Sequence, residues 1–304
     1  MKKYLIIIAL ALCACTVVDT TVQAPEPELP PVDEPMVFTA TCGAPESRTQ
    51  RDEEGKIYWS PGDKIHLWLA YNSSNVLSTD ITSPARTVTF AGTSGQTSGS
   101  FNDFVALYPY AKSGNGCSYN SSEDYYEIKT YTYSQQKAVE GSFDTNLFVS
   151  VARSKTKELH FQNACGGVKF SVSTSGIRKA TLTSGSRNLA GYMSIKLWED
   201  HIESSAYWND PDNLWLSDNE VFLYIPNGGS FAPGSSYYFV TVPVMLEDGF
   251  TIRFYTDTHY AERVISQPVE IKRGHCVVVN NADAGLEWKA INGDLENTTD
   301  TPIE

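Results

Sequence analysis

Asp63-Lys64-Ile65-His66-Leu67-Trp68-Leu69 decides the fold class. Ile65, Leu67 and Leu69 fall on one face of an extended chain, the period-two pattern of a half-buried strand. Pro61-Gly62-Asp63 in front of it is a turn signal, with Pro presetting φ and Gly free to take φ > 0. The same alternation recurs outward in both directions. Met36–Thr41, Thr87–Phe90, Phe104–Tyr108, Tyr126–Tyr133, Leu147–Val151 and Glu158–Gln162 are expected strands. So are Val168–Thr174, Ala180–Thr183, Val221–Ile225, Tyr237–Leu246, Phe250–Tyr255, Val264–Ile271 and Cys276–Val279. Ser113-Gly114-Asn115-Gly116, Asn227-Gly228-Gly229, Pro233-Gly234 and Asp248-Gly249 punctuate them. Helical periodicity is not sustained anywhere. This density of short strands predicts an all-β chain built of β-sandwiches.

The composition agrees with a substantial packed body: 304 residues, 41% hydrophobic, 12% aromatic and 19% charged. Small and basic residues at Ala152–Lys157 interrupt the strand series and divide the body into two sandwiches, 36–155 and 156–290. Ile291 onward, 291–304, reads as a polar tail that frays. A net charge of -13 argues against nucleic acid as a partner, because phosphate-backbone binding needs clustered cations.

The N-terminus carries an address. Lys2 and Lys3 precede an apolar run from Leu5 to Leu12, too short to span a bilayer, and Leu12-Cys13-Ala14-Cys15 follows. Cys15, with Ala14 before it and Leu12 three positions back, fits the lipobox of bacterial lipoproteins. Residues 1–14 are then a signal peptide and Cys15 the lipidated first residue of the mature chain. Thr16 in place of an aspartate after it favours the outer membrane, with the membrane engaged through the lipid alone. The segment 15–35 interleaves Pro25, Pro27, Pro30, Pro31 and Pro35 with Glu26, Glu28, Asp33 and Glu34. Such a segment cannot build a core and reads as a semi-rigid spacer or simply a solvated charge run.

Catalytic signatures are thin. There is no His-Glu-x-x-His, no Gly-x-Ser-x-Gly and no phosphate-binding Gly-x-x-x-x-Gly-Lys, and the five histidines carry no ligand spacing. No cofactor, no metal and no enzymatic activity are expected. Asp210-x-Asp212-Asn213 lacks the glycine and the bidentate glutamate of a calcium loop. Between Trp198 and Glu220, however, Trp198, Tyr207, Trp208 and Trp215 alternate with carboxylates and amides. Aromatic rings can cover apolar sugar faces while polar groups fix the hydroxyls, so these four are candidate glycan contacts. The plainer reading is that they are core aromatics flanking a polar inter-strand loop. Cys42, Cys117, Cys165 and Cys276 lie in a compartment that permits disulfides. Within-domain pairing would join Cys42 to Cys117 and Cys165 to Cys276, or all four remain thiols packed as small hydrophobes.

Several stretches taken in order carry a resemblance. The lipobox at Cys15 is followed by the strand Met36–Thr41, by Ser47-Arg48-Thr49 and by Trp59-Ser60-Pro61-Gly62-Asp63-Lys64-Ile65. Then come Tyr108-Pro109-Tyr110, Asp144-Thr145-Asn146-Leu147-Phe148, Leu159-His160-Phe161-Gln162-Asn163-Ala164 into Gly167-Val168-Lys169-Phe170, and Ile271-Lys272-Arg273-Gly274. In this order the chain resembles the fimbrillin-type lipoproteins of the Bacteroidota. The resemblance implies two tandem transthyretin-like sandwiches serving as a fimbrial stalk, tip or anchor subunit. It also implies export as a lipoprotein, cleavage by an arginine-specific protease after the first strand, and joining to other fimbrial subunits by strand exchange. Here the cut would follow Arg48 or Arg51, and Met36–Thr41 would be the strand lost; otherwise Pro45–Gly55 is an uncut surface loop. The polar C-terminus is a poor donor strand, so a non-polymerising anchor, tip or accessory subunit stands level with a stalk. The alternative is a surface glycan-binding lipoprotein of the outer membrane, whose partner is a host or bacterial glycan or receptor.

Overall fold

The computed structural model describes residues 35–42, 50–51, 57–70, 73–93, 103–110, 115–144, 146–147, 149–206 and 217–291. Among them strands dominate; the helical element described is the 3-10 turn Pro226–Gly228. The chain is all-β and organised as sandwiches, as the alternation predicts.

Seven strands close on themselves in the order Pro35–Cys42, Glu158–Asn163, Ser150–Ser154, Phe104–Tyr108, Lys64–Ala70, Ser73–Ser78 and Thr87–Thr93, with the last bonded to the first. Pairing is thin at two seams. One is the single partnership of Ser78 with Ala91; the other is Ser150 with Asn163 and Val151 with Gln162. These seams divide the closed sheet into a layer of four strands facing a layer of three. Side chains from both layers meet between them: Ile65, Leu67, Ala106 and Tyr108 from one, Phe38, Phe90, Leu159 and Phe161 from the other.

A second sandwich lies C-terminal to this barrel. Its large sheet runs Ser142–Phe143, Gln135–Val139, Glu220–Tyr224, Lys179–Thr183, Phe250–Tyr255, His259–Ile265 and Lys289–Ala290. Facing it are a three-stranded sheet of Ser236–Thr241, Gly166–Ser171 and Cys276–Val279, and the pair Val244–Leu246 with Val269–Ile271. Phe170, Phe239, Leu182, Leu223, Ile252 and Phe254 fill the space between. Phe170 alone contacts the rings of Phe231, Tyr237, Phe239 and Phe254. At the Asp248-Gly249 turn Gly249 has φ of 71°, and a Cβ there would lie 1.8 Å from the Ile265 carbonyl oxygen, so only glycine fits.

Between the two lies a sheet with the order Ile202–Ala206, Ala190–Leu197, Tyr125–Thr132 and Gly116–Asn120, to which Ser217–Asp218 adds at one end. Its inward residues Tyr126, Ile128, Met193, Ile195 and Leu197 pack on Trp68, Val105, Leu107 and Val151 from the barrel and on Tyr238 and Val240 from the second sandwich. Hydrogen bonding therefore runs across the expected division at 155/156 in both directions. Glu158–Asn163 completes the barrel, and Gln135–Val139 pairs in parallel with Glu220–Tyr224. Arg153 fastens barrel to middle sheet. Its guanidinium, 5% exposed, pairs with buried Asp103, donates to the Asp124 carboxylate at 2.7 Å and carbonyl at 2.8 Å, and lies over the Tyr126 ring at 5.0 Å.

Candidate functional site: the first strand and the groove it fills

Pro35–Cys42 is the strand that closes the barrel. It pairs antiparallel with Thr87–Thr93 over seven register positions, from Pro35 opposite Thr93 to Thr41 opposite Thr87. On its other edge it runs parallel to Glu158–Asn163 over four, from Thr39 opposite Glu158 to Cys42 opposite Phe161. The Thr39 amide also donates to the Lys157 carbonyl at 2.9 Å. Both backbone edges are thus used, which is the position of a central strand rather than an edge strand.

The alternation read from sequence holds residue by residue. Met36, Phe38 and Ala40 point inward and are buried, while Val37 between them is 48% exposed. Phe38 meets Phe104 edge-on with ring centroids 4.9 Å apart. Beneath them Trp59, fully buried, takes edge contacts from Phe90 at 4.9 Å, Tyr108 at 5.2 Å and Phe161 at 5.2 Å. The stretches Trp59–Ile65, Tyr108–Tyr110 and Leu159–Ala164, scattered along the sequence, meet around this one strand.

The Trp59-Ser60-Pro61-Gly62-Asp63 turn is held by its own acid. The Ser60 amide donates to the Asp63 carboxylate at 2.7 Å and the Tyr108 hydroxyl donates to it at 3.1 Å. Burial pushes the Asp63 carboxyl above its usual value, and those two donors pull against it. Trp59 is pinned by reciprocal backbone bonds with Ala85 at 2.8 and 3.1 Å.

Of the processing positions, Arg51 belongs to the two-residue strand Gln50–Arg51, paired with Ile57–Tyr58. Arg48 and Cys15 lie outside the described residues, as do Tyr207, Trp208 and Trp215 of the glycan set. Trp198 is described and half-buried. Its ring stacks on His201 at 4.5 Å, with 5° between planes, and tilts against Tyr125 at 5.0 Å. The His201 Nδ1 lies 2.6 Å from Asp200 Oδ1, and that ring nitrogen lowers the Asp200 carboxyl from its ordinary value.

Cys117 and Cys165 are buried thiols in the core beneath the middle sheet, so the two pairings suggested by spacing are not what holds this core. Cys117 sits on Gly116–Asn120 in the middle sheet, while Cys42 ends the first strand of the barrel; Cys165 and Cys276 border one core, with Cys165 a buried thiol. Burial pushes the Cys165 thiol up to about 12 and the Cys117 thiol higher still. Among the described residues no group of three His, Cys, Asp or Glu is placed to hold a metal ion.

Sequence reasoning passed over Tyr131, Tyr133 and Tyr192. Tyr131 and Tyr192 are cross-strand partners on the outer face of the middle sheet, stacked at 5.5 Å, and Tyr133 tilts against Tyr131 at 4.8 Å. The strand signal was there for Tyr131, but nothing marked Ala190–Leu197 as its neighbour.

No protein-family model matches the chain, and no curated protein matches it in sequence. Two crystal structures are similar in overall path. One, from Bacteroides ovatus, is described as a candidate cell adhesion protein; it is 9% identical with a TM-score of 0.46, covering 86% of this chain and 97% of its own. The other, from Bacteroides uniformis and described in the same words, is 13% identical with a TM-score of 0.45, covering 86% and 98%.

Proposed function

We propose that this chain is a fimbrillin-type subunit of a bacterial surface fimbrium, exported to the outer membrane as a precursor held by lipid on Cys15 until it is cut. Its first strand is released by cleavage after Arg48 or Arg51, and the vacated groove receives a strand of another subunit. The observation that carries this reading is the placement of Pro35–Cys42: the described chain begins with a strand that closes a barrel and buries Met36, Phe38 and Ala40. Removing it leaves two facing rows of unpaired backbone groups over an apolar trough, the arrangement that β-strand addition fills. Arg48 and Arg51 follow Cys42 within a few residues, so a cut there severs this strand together with the 15–35 spacer and the lipid on Cys15, and leaves the strands from Ile57 onward intact. The late strands are weak candidates for donation, since Cys276–Val279 and Lys289–Ala290 are already paired within the second sandwich. An anchor or tip that accepts a strand therefore fits better than a stalk that also donates one.

The test uses the soluble chain beginning at Thr16, incubated with trace arginine-specific protease. The expected product is cut after Arg48 or Arg51 and binds, or exchanges, an added peptide spanning residues 35–42. Filaments or a ladder on an unboiled gel would add a donating role. A chain that resists the protease at both arginines, or that keeps its strand and takes up no peptide once cut, overturns the reading.

A further inference from the structure

The outer face of the middle sheet carries side chains that no core uses. Tyr125, Glu127, Lys129 and Tyr131 project from one strand there, and Tyr192, Ser194 and Lys196 from its neighbour. Tyr131 and Tyr192 stack with 21° between their planes, and Tyr133, 41% exposed, extends the patch. Six residues further along the second strand, about 20 Å at the usual strand rise, stands Trp198 stacked on His201. Beside Ser194 and Lys196, over the Ile202–Ala206 edge of the sheet, opens a cleft of about 450 Å³ that Ile202, Glu203, Ser205 and Arg273 also line.

The polar groups of this face are of mixed sign. Lys129, Lys196 and Arg273 are interspersed with Glu127 and Glu203, and the Ser194 hydroxyl donates to Glu127 at 2.7 Å. Such a surface lacks the clustered cations of a polyanion site. It also lacks the apolar centre of a protein interface. Rings at both ends with hydroxyl, ammonium and carboxylate groups between them match an uncharged polyol, whose apolar ring faces stack while its hydroxyls find donors and acceptors. The inward side chains Met193, Ile195 and Leu197 are fully packed, so the platform is preformed.

We infer that the outer face of the middle sheet binds an extended, uncharged oligosaccharide, with Tyr131 and Tyr192 stacking one end, Trp198 the other, and the cleft beside Ser194 and Lys196 holding hydroxyls. The strand that closes the barrel contributes no residue to this face, so the site operates whether or not that strand is exchanged.

The uncleaved chain from Thr16 onward, applied to a printed array of neutral and sialylated oligosaccharides, tests it, with the strongest binder then titrated calorimetrically. Binding of neutral oligosaccharides longer than a disaccharide is expected. Tyr192→Ala and Trp198→Ala should each weaken it about tenfold, a change of about 1.4 kcal/mol. Tyr192→Phe, which keeps the ring, should bind as the parent does. Should Tyr192→Ala not fold, Ser205→Trp fills the cleft from an exposed position and should abolish binding without lowering the melting temperature. A blank array, a preference for sialylated glycans, or binding unmoved by Ser205→Trp and Trp198→Ala overturns the inference.

Discussion

The two ends of the described chain are built into their sandwiches in opposite ways. Pro35–Cys42 begins the described residues and sits in the middle of a closed sheet, with a bonded neighbour on each side. Cys276–Val279 pairs on one side, with Gly166–Ser171, and stands last in its three-stranded sheet; Lys289–Ala290 stands last in the large one. Loss of the first strand opens two edges and a core, whereas a change at the last strands touches a margin. The opening that the proposed strand exchange would need therefore lies at the start of the described chain, next to Arg48 and Arg51.

The largest effect that could break this comparison is a core truncation in the closing strand. Phe38→Ala should cost about 3–5 kcal/mol in denaturant unfolding, the range for a large aromatic lost from a packed interior. It should also speed uptake of an added strand peptide after cleavage. A loss below about 1 kcal/mol would mean that the barrel tolerates a defective closing strand and that closure is not what the strand supplies.

The C-terminal end is secured by an acid more than by pairing. Asp283, 2% exposed, accepts from the Ser173 amide at 2.6 Å, the Ser173 hydroxyl at 3.1 Å and the Thr174 amide at 2.7 Å. Burial raises its carboxyl, but the Thr174 and Ser173 donors outweigh that and hold it below the ordinary value. A carboxyl depressed in the folded state contributes stability that is present above its unfolded pKa, about 3.9, and lost as pH falls through the folded one. Asp283→Asn should therefore destabilise by about 1–3 kcal/mol at neutral pH, and the gap from the parent should close as urea midpoints are followed below about pH 4. A gap that stays constant with pH would show that the ionised carboxylate is not the tie.

Much of this was legible in the sequence, and the illegible part has one physical source. Phe104–Tyr108, Phe250–Tyr255 and Cys276–Val279 match their expected bounds, and the first strand differs by one residue at each end. Two long expected strands are broken instead. Tyr237–Leu246 splits around Pro243, and the run through Val264–Ile271 splits around Pro268, because proline has no amide to give a ladder. What could not be read was the middle sheet. Gly116–Asn120 and Ile202–Ala206 are rich in Ser, Gly and short polar residues, so their alternation is weak, whereas Ala190–Leu197 alternates from Met193 to Leu197 but opens on Ala190-Gly191 and was passed over. That omission misjudged Lys64–Ala70 as well. Ile65 and Leu67 face the barrel interior as predicted, yet His66 and Trp68 on the opposite face are 5% and 1% exposed, because the middle sheet covers that side. Alternation reports one buried face and is silent about a second cover. The Tyr131–Tyr192 platform was missed for the same reason, since it exists only where two strands distant in sequence pair.

The thiols sharpen the contrast between covered and uncovered surface. Cys117 and Cys165 lie in the core that the middle sheet covers, with their thiols held protonated by burial. A thiol-reactive dye added to the native chain should leave both unlabelled, and urea should expose both in the same transition that unfolds the middle sheet. Labelling of Cys117 before global unfolding would mark the Gly116–Asn120 edge as a separately opening unit.

The smallest expected effect is the control on which the comparison depends. Val37 and Val278 are both exposed, at 48% and 55%, one on the closing strand and one on a strand at the margin of its sheet. Val37→Lys and Val278→Lys each leave the buried face untouched, so each should change stability by no more than about 0.5 kcal/mol. On Val278 the lysine adds a charge to an open edge, which should also reduce self-association at high concentration, read by light scattering. On Val37 it adds a charge to a strand bonded along its whole length to Thr87–Thr93 and from Thr39 onward to Glu158–Asn163, so scattering should move less. If Val37→Lys lowers association as much as Val278→Lys does, the first strand is already partly out of its groove in the uncut chain, and cleavage releases a strand that exchange has begun to displace.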